Sequence, residues 1–135
     1  MRITADTNIL VRAATLDDPS QAASAAAALR EAETVVVVSA SLCELAWVLM
    51  QGYRWSSAET AAIIGRLIAS DNVEFDRPAI EAGLDMLARG GDFADGVIAF
   101  EGRRLGGSIF TSFDRKAVRM IREAGGEARL LNAEA

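Results

Sequence analysis

The sequence predicts an α/β fold in which a parallel β-sheet is covered by helices on both faces. Short apolar runs alternate along the chain with longer stretches of helical composition. One of these runs, TVVVV at residues 34–38, is continuously β-branched, which is typical of a strand buried on both faces. Strands that alternate with helices favour parallel pairing, because each crossover helix returns the chain to the same end of the sheet.

The other strands are predicted from shorter runs, at residues 2–5, 73–75, 108–112 and 128–131. Two of them end close to an aspartate, which is Asp6 in the first case and Asp114 in the other. The carboxyl ends of parallel strands meet at one edge of the sheet, where such folds bind their ligands. We therefore expect both aspartates at that edge.

Helices are predicted between the strands, and local signals mark where several of them begin. Asp18 followed by Pro19 is an N-cap with proline at the first helical position, and Ser56 with Glu59 forms a capping-box pattern. The helices are expected at residues 8–15, 17–33, 41–52, 56–70, 77–91, 93–105 and 115–126. No linker, repeat or change of composition interrupts the pattern, so we expect residues 1–135 to form a single domain.

Composition excludes several functional classes. The 135 residues carry 14 basic and 19 acidic side chains, a net charge of −5, unlike a protein that coats nucleic acid through bulk positive charge. The chain has no histidine and only one cysteine, which excludes a histidine-based nucleophilic triad and a zinc cage of several thiolates. Any metal chemistry must therefore use oxygen ligands, which suit Mg²⁺ or Mn²⁺.

The amino-terminal stretch also bears on where the protein acts. MRITADTNIL contains acids and an arginine where a signal peptide needs an unbroken apolar core, and no apolar run approaches ~20 residues. We therefore expect a soluble cytoplasmic protein with no membrane segment.

Four carboxylates from distant segments are expected to meet at the carboxyl edge of the sheet: Asp6, Glu44, Asp95 and Asp114. Glu44 and Asp95 are predicted in the first turns of helices that follow strands, and such helices begin at that edge. Each acid has a structural alternative. Asp6 and Asp114 suit helix caps, while Glu44 with Ser41 resembles a capping box, as does Asp95 with Asp92.

Taken together, the four acids favour a metal site over four separate caps. Two carboxylates 4 Å apart repel by about 4 kcal/mol in a moderately screened site, and serine or asparagine caps a helix without that cost. A bound divalent cation removes the repulsion. Carboxylate-held Mg²⁺ or Mn²⁺ polarises phosphoryl oxygens and activates water, so phosphodiester hydrolysis is the expected reaction class.

Four blocks of the sequence resemble the PIN-domain ribonucleases and, within them, the VapC toxins of bacterial type II toxin–antitoxin modules. The blocks are ADTNIL (5–10), SASLCELAWVL (39–49), GGDFADGVIA (90–99) and IFTSFDRKA (109–117). The resemblance implies a three-layer α/β/α fold and a Mg²⁺- or Mn²⁺-dependent endoribonuclease that cuts a structured RNA, often tRNA or rRNA. It also implies a homodimer and inhibition by a small VapB antitoxin whose tail blocks the acidic cleft.

The resemblance also implies roles for individual residues. Asp6, Asp95 and Asp114 match the direct metal ligands of the family's acidic quartet. Glu44 matches the fourth member, which binds the metal directly or through water and orients the attacking water. The supporting positions match Asn8 and Ser112, which hold acids in place by hydrogen bonds, and Asp92, an acid that precedes the third quartet member.

The sequence departs from the family pattern in two respects. Arg115 and Lys116 follow Asp114 where the family often has a second acid, which favours one firmly held metal over two. These two residues are either part of a solvated helix face or contacts to RNA phosphates beside the acidic cleft. Gly96 stands where alanine is usual, and the sequence offers no functional account of it.

Other functions stay open at this point. A small-substrate phosphohydrolase would use Asp6 as a covalent nucleophile, although such enzymes usually carry a second acid where this chain has Asn8. They also need a lysine, and Lys116 is the only one in the sequence. The remaining alternatives are a housekeeping PIN nuclease without an antitoxin and a binding module whose acidic cleft only engages a partner.

Overall fold

The computed structural model describes residues 1–132, and the chain divides into two compact units, Met1–Asp76 and the part from Arg77 onward. Both units combine short parallel strands with helices, as predicted. The single domain expected over residues 1–135 stays a prediction. Among residues 1–132, no helix is both long and apolar enough to cross a bilayer.

The first unit contains a three-stranded parallel sheet in the order β1-β2-β3. The central residue Val35 pairs with Ile3 on one side and with Val73 on the other. Apolar helix faces carrying Leu42 and Ile64 provide fully buried core residues. The elements are β1 (Arg2–Thr4), α1 (Thr7–Thr15), α2 (Pro19–Glu31), β2 (Thr34–Val36), α3 (Ser39–Trp47), a π-helical turn (Val48–Gly52), α4 (Ser57–Ile68) and β3 (Val73–Glu74).

Two helix starts in this unit confirm the predictions made from capping patterns. The carboxylate of Asp18 accepts a hydrogen bond from the Gln21 backbone N–H at 3.1 Å, at the start of α2. Ser56 and Glu59 form the reciprocal bonds of a capping box at the start of α4. In both cases a side chain next to the helix satisfies a backbone donor that the helix leaves free.

The start of α3 differs from the prediction. The helix begins at Ser39, and the carbonyl of Val38 accepts from the Ser41 and Leu42 N–H groups. No side chain caps this end, so the predicted capping box between Ser41 and Glu44 is wrong. The helix also starts two residues earlier than expected, which puts Glu44 in its second turn instead of its first. Val38, the last residue of the TVVVV run, is 45% exposed, so this run is not buried along its whole length.

The second unit contains a two-stranded parallel sheet with Ile109 opposite Glu127 and Ser112 opposite Leu130. Its core cluster is built from Met86, Ala99, Met120 and Ile121, with Phe110 and Ala128 packed against it. The elements are α5 (Arg77–Ala88), α6 (Phe93–Arg104), β4 (Ile109–Ser112), α7 (Arg115–Glu123) and β5 (Glu127–Leu130).

Helices α5 and α6 approach each other closely through glycines. A Cβ on Gly83 would lie 2.8 Å from atoms of the Phe93 and Val97 side chains, and one on Gly96 would lie 2.5 Å from the Ala82 carbonyl oxygen. The chain reverses between the two helices at Gly90, whose φ of +91° favours glycine. The α5–α6 contact therefore explains why glycine occupies position 96, for which the sequence alone offered no account.

Candidate active site

The first unit brings two of the predicted acids together through one threonine. Asp6 lies two residues after the end of β1 and caps α1, and its Oδ1 accepts a hydrogen bond from the Thr7 backbone N–H at 2.9 Å. The hydroxyl of Thr7 donates to Oε1 of Glu44 at 3.2 Å, across 37 residues of sequence. Asp6 and Glu44 are therefore held by the backbone and the side chain of the same residue.

Sequence reasoning missed this role of Thr7. Thr7 precedes the helix predicted at residues 8–15, and its contact with Glu44 joins two segments that are 37 residues apart, so no local pattern indicates this partner. The available signal was a hydroxyl side chain directly after an aspartate at a strand end. Hydrogen bonds to a charged acceptor are stronger than those between neutral groups, so this contact holds the Glu44 carboxylate in a defined position.

The second unit contains three of the predicted acids, and two of them are helix caps. Asp92 caps α6, accepting from the Asp95 N–H at 3.2 Å, and Asp114 caps α7, accepting from the Ala117 N–H at 3.0 Å. The backbone N–H of Asp114 donates in turn to Oγ of Ser112 at 3.0 Å. The capping interpretation is confirmed for Asp92 and Asp114. The supporting role of Ser112, whose hydroxyl binds the backbone and not the carboxylate of Asp114, stays a prediction.

Asp95 differs from its neighbours because its carboxylate is half-buried and repelled. Burial raises its pKa to about 6, and the negative charges of Asp92 and Asp114 add to the effect. Its backbone N–H is bound by Asp92, so the cap fixes the helix turn that carries the Asp95 side chain. Asp95 thus lies in the field of two other acids while Asp92 sets the start of its helix.

One predicted supporting residue lacks the contact expected of it. Asn8 is exposed on α1, and within residues 1–132 its side chain makes no hydrogen bond. Its role in holding an acid therefore stays a prediction. The convergence of the Asp6–Glu44 pair with the acids of the second unit in one cleft also stays a prediction.

The family is decided by a match that covers most of the chain. The model of the PIN domain matches residues 3–123, a range that includes all four quartet positions. The chain belongs to the PIN domain family. PIN domains are generally metal-dependent nucleases, and the predicted three-layer α/β/α fold class with parallel strands is confirmed. No curated protein matches the chain.

The donor chemistry of this PIN domain fits a hard divalent cation. In the described part of the chain, no three acidic or cysteine side chains form a ready-made metal-binding group. The candidate residues nevertheless offer only carboxylate oxygens, which Mg²⁺ and Mn²⁺ prefer. Burial and, after it, repulsion by Asp92 and Asp114 raise the pKa of Asp95, and a bound divalent cation would offset the repulsion.

The basic residues near the carboxyl end of the PIN domain fall into two groups. Arg103, Arg104 and Arg122 lie in the last turns of their helices, where a cation complements the helix dipole. Arg115 and Lys116 are exposed in the first turn of α7, where the dipole disfavours a cation. Helix stability explains the first group but not the second.

Proposed function

We propose that this PIN domain is a metal-dependent endoribonuclease and the toxin of a toxin–antitoxin pair. The observation that carries the catalytic half of the proposal is the crowding of Asp95. Its pKa is raised to about 6 by burial and by two neighbouring acids, an arrangement that costs stability without a cation. Perturbed groups of this kind cluster at functional sites.

The proposed cofactor is Mg²⁺ or Mn²⁺, held by carboxylates. Asp6, Asp95 and Asp114 would bind the metal directly, and Glu44 would bind it directly or through water. The bound metal supplies polarisation of a phosphoryl oxygen and a water of lowered pKa. Only carboxylates are assigned to the metal, in keeping with a chain that has no histidine.

The chain's own residues hold these carboxylates in place before the metal binds. Thr7 binds Asp6 through its backbone and Glu44 through its hydroxyl, and a Glu44 carboxylate held in this way would orient the attacking water. Ser112 binds the backbone N–H of Asp114, and Asp92 fixes the start of the helix that carries Asp95. Preorganised ligands of this kind lose little freedom on binding.

The proposed substrate is a structured RNA such as a tRNA or an rRNA. Arg115 and Lys116 support this part, because they lie directly after Asp114 and are exposed. Their position in a first turn opposes the helix dipole, so contact with RNA phosphates gives a reason for two adjacent cations there. A few local phosphate contacts also suit a chain whose net charge of −5 excludes bulk electrostatic binding.

The proposed partners follow from the resemblance of the four sequence blocks to the VapC toxins. A VapB-like antitoxin would insert its tail into the acidic cleft and block the metal site. The active protein would be a homodimer acting in the cytoplasm. A small antitoxin gene directly upstream, together with growth arrest on expression of the PIN domain alone, would separate a toxin from a housekeeping nuclease.

Cleavage of purified RNA tests the enzymatic half of the proposal. We expect the protein to cut one or more members of a tRNA and rRNA panel with Mg²⁺ or Mn²⁺, and to lose all cleavage when EDTA is added. Unchanged RNA across the panel with added metal would contradict it. Hydrolysis of p-nitrophenyl phosphate without RNA cleavage would favour the phosphohydrolase alternative instead.

A further inference from the structure

The close contact between α5 and α6 is tightest at Gly96, next to the candidate ligand Asp95. A Cβ on Gly96 would lie 2.5 Å from the Ala82 carbonyl oxygen, 2.8 Å from the Met86 Cβ and 2.9 Å from the Gly83 Cα. The first and third of these atoms belong to the backbone of α5. No change of side-chain rotamer makes room for a methyl group, so α6 would have to move away from α5.

The face of α6 that contacts α5 also fixes where Asp95 points. Successive residues on an α-helix are about 100° apart, so the inward direction of Gly96 sets the direction of Asp95. Phe93 and Val97 are buried and reach Gly83 from the same helix. The cap from Asp92 holds the helix end at the Asp95 N–H. The Asp92 cap on one side and the Gly96 contact on the other therefore hold the turn of α6 that carries Asp95.

A single methyl group at Gly96 would disturb that position by a catalytically relevant distance. Raising a 2.5 Å approach to ordinary van der Waals separation requires a shift of roughly 1 Å. A misplacement of about 1 Å in a positioned group can lower a rate by about 10²-fold. Alanine at this position is therefore incompatible with the α5 backbone as it lies in this chain.

We propose that Gly96 is a positioning residue for Asp95, which it aims by letting α6 close onto α5 at Gly83. This inference rests on the proposed function, in which Asp95 binds the catalytic metal. Gly96 itself touches neither metal nor substrate. Its effect reaches the site only through the placement of the helix turn that it shares with Asp95.

The test compares Gly96→Ala with Gly126→Ala, a matched control in the same unit. A Cβ on Gly126 would lie 2.9 Å from Ile121 Cγ2 and 3.2 Å from the Ile121 carbonyl oxygen, so this variant also disturbs packing. Gly126 directly precedes β5, at the opposite end of α7 from Asp114. Thermal unfolding measures the stability that each variant loses.

Two further measurements separate positioning from stability. Calorimetric titration with Mn²⁺ in the absence of RNA should show at least about a tenfold loss of affinity for Gly96→Ala and under twofold for Gly126→Ala. Steady-state cleavage should show a kcat lowered by about 10²-fold for Gly96→Ala, with an RNA KM within about twofold of wild type. Equal losses in the two variants, or wild-type Mn²⁺ affinity in Gly96→Ala, would overturn the inference.

A second variant keeps the test decisive if Gly96→Ala does not fold. Gly83→Ala introduces a methyl group whose three nearest neighbours are side-chain atoms of Phe93 and Val97. It should weaken Mn²⁺ binding relative to wild type, and adding Val97→Ala should restore part of the loss, because it removes one colliding atom. No loss in Gly83→Ala, or no recovery in the double variant, would count against the positioning role.

The wild-type protein distinguishes failure of this inference from failure of the proposed function. A wild-type protein that neither binds Mn²⁺ nor cleaves RNA would reject the proposed function, and the positioning role with it. An active wild type with an unaffected Gly96→Ala variant would reject the positioning role alone.

Discussion

The two units differ in charge and in how they treat their acids. The part of the sequence up to Asp76 has five basic and ten acidic residues, whereas the part from Arg77 onward has nine of each. The whole negative excess therefore belongs to the first unit. Yet the strongly perturbed acid, Asp95, lies in the neutral second unit. Local burial and spacing, and not net charge, decide which carboxylate is destabilised.

The same comparison shows that the two units hold their candidate ligands in different ways. In the first unit, Asp6 and Glu44 each accept a hydrogen bond from Thr7, so neutral donors support them. In the second unit, Asp95 is half-buried and repelled by Asp92 and Asp114, and its backbone N–H donates to the Asp92 carboxylate that caps the helix. We expect changes in the first group to act through positioning and changes at Asp95 to act through charge.

The largest effect is expected for Asp6→Asn. Asparagine keeps the volume and the cap oxygen of Asp6 but removes the charge, so RNA cleavage should fall by at least about 10³-fold while the fold is retained. Asp18→Asn provides the control, since Asp18 caps α2 in the same unit by a hydrogen bond to the Gln21 N–H. Cleavage assays and circular dichroism on both variants measure the result. Similar activity in the two variants would contradict a catalytic role for Asp6.

Thr7→Val should produce the next largest effect. Valine keeps the shape and the backbone N–H but removes the hydroxyl that donates to Glu44. A hydrogen bond to a charged group is worth about 1.5–3 kcal/mol, which corresponds to a loss of roughly 10- to 10²-fold in kcat.

Two companion variants sharpen the test at Thr7. Thr7→Ser should restore most of the activity because it returns the hydroxyl. Thr15→Val removes a hydroxyl of α1 that bonds Asp17 and the Val11 carbonyl instead of a candidate acid, and it should leave cleavage unchanged. Failure of serine to restore activity would show that the contact with Glu44 is not what matters.

Asp95→Asn should stabilise the metal-free protein at neutral pH. The pKa of Asp95 rises from 3.8 to about 6 on folding, so the folded state holds the proton more tightly than the unfolded chain. The contribution of this group to stability is therefore present at pH 4 and is lost as the pH rises through 6. Asparagine removes that loss, and after allowance for solvent screening of a half-exposed group we expect a gain of about 1 kcal/mol at pH 7.

Urea denaturation in EDTA at pH 4.5 and at pH 7 measures the effect of Asp95→Asn on the free energy of unfolding. The gain should be clear at pH 7 and small at pH 4.5. In Mn²⁺ the order should reverse, because the wild type gains stability from the bound ion and the variant does not. A variant that is equally destabilised at both pH values would contradict the charge-based account of Asp95.

The smallest effects are expected for Arg115→Ala and Lys116→Ala. Each should weaken RNA binding a few-fold and reduce the slope of log affinity against log salt by about 1. Stability should stay the same or rise by a few tenths of a kcal/mol, because a cation leaves the first turn of α7. Binding measured at several salt concentrations with inactive Asp6→Asn protein tests this, and Arg119→Ala, which breaks an exposed pair with Glu123, is the control.

Local signals predicted much of the fold and of the candidate site. The starts of α2, α4, α6 and α7 could be predicted because a nearby side chain caps each of them. The start of α3 could not, because Val38 is held by backbone bonds that leave no side-chain signature. The contact between Thr7 and Glu44 was equally invisible, since it depends on two segments that meet only in the folded chain.

The same reasoning explains why Gly96 could not be interpreted from the sequence. Its meaning depends on Ala82 and Gly83, which lie on another helix. A glycine inside a helix looks unfavourable when only its own neighbours in sequence are considered, because it costs about 1 kcal/mol relative to alanine. The close approach of α5 makes glycine favourable at position 96, because a Cβ there would collide with the α5 backbone.

The π-helical turn at Val48–Gly52 bears on how the chain would tolerate a change in length. The Tyr53 N–H donates to the carbonyl of Val48, five residues earlier, at 3.1 Å. In an α-helix this hydrogen bond joins residues four apart, so the longer step marks one extra residue. An inserted residue rotates everything that follows by about 100°. Glu44 precedes the turn. An insertion or deletion within the turn would therefore change the direction of the segment that follows and leave the position of Glu44 relative to Val38 unchanged. Evolution can therefore alter this connection without moving Glu44.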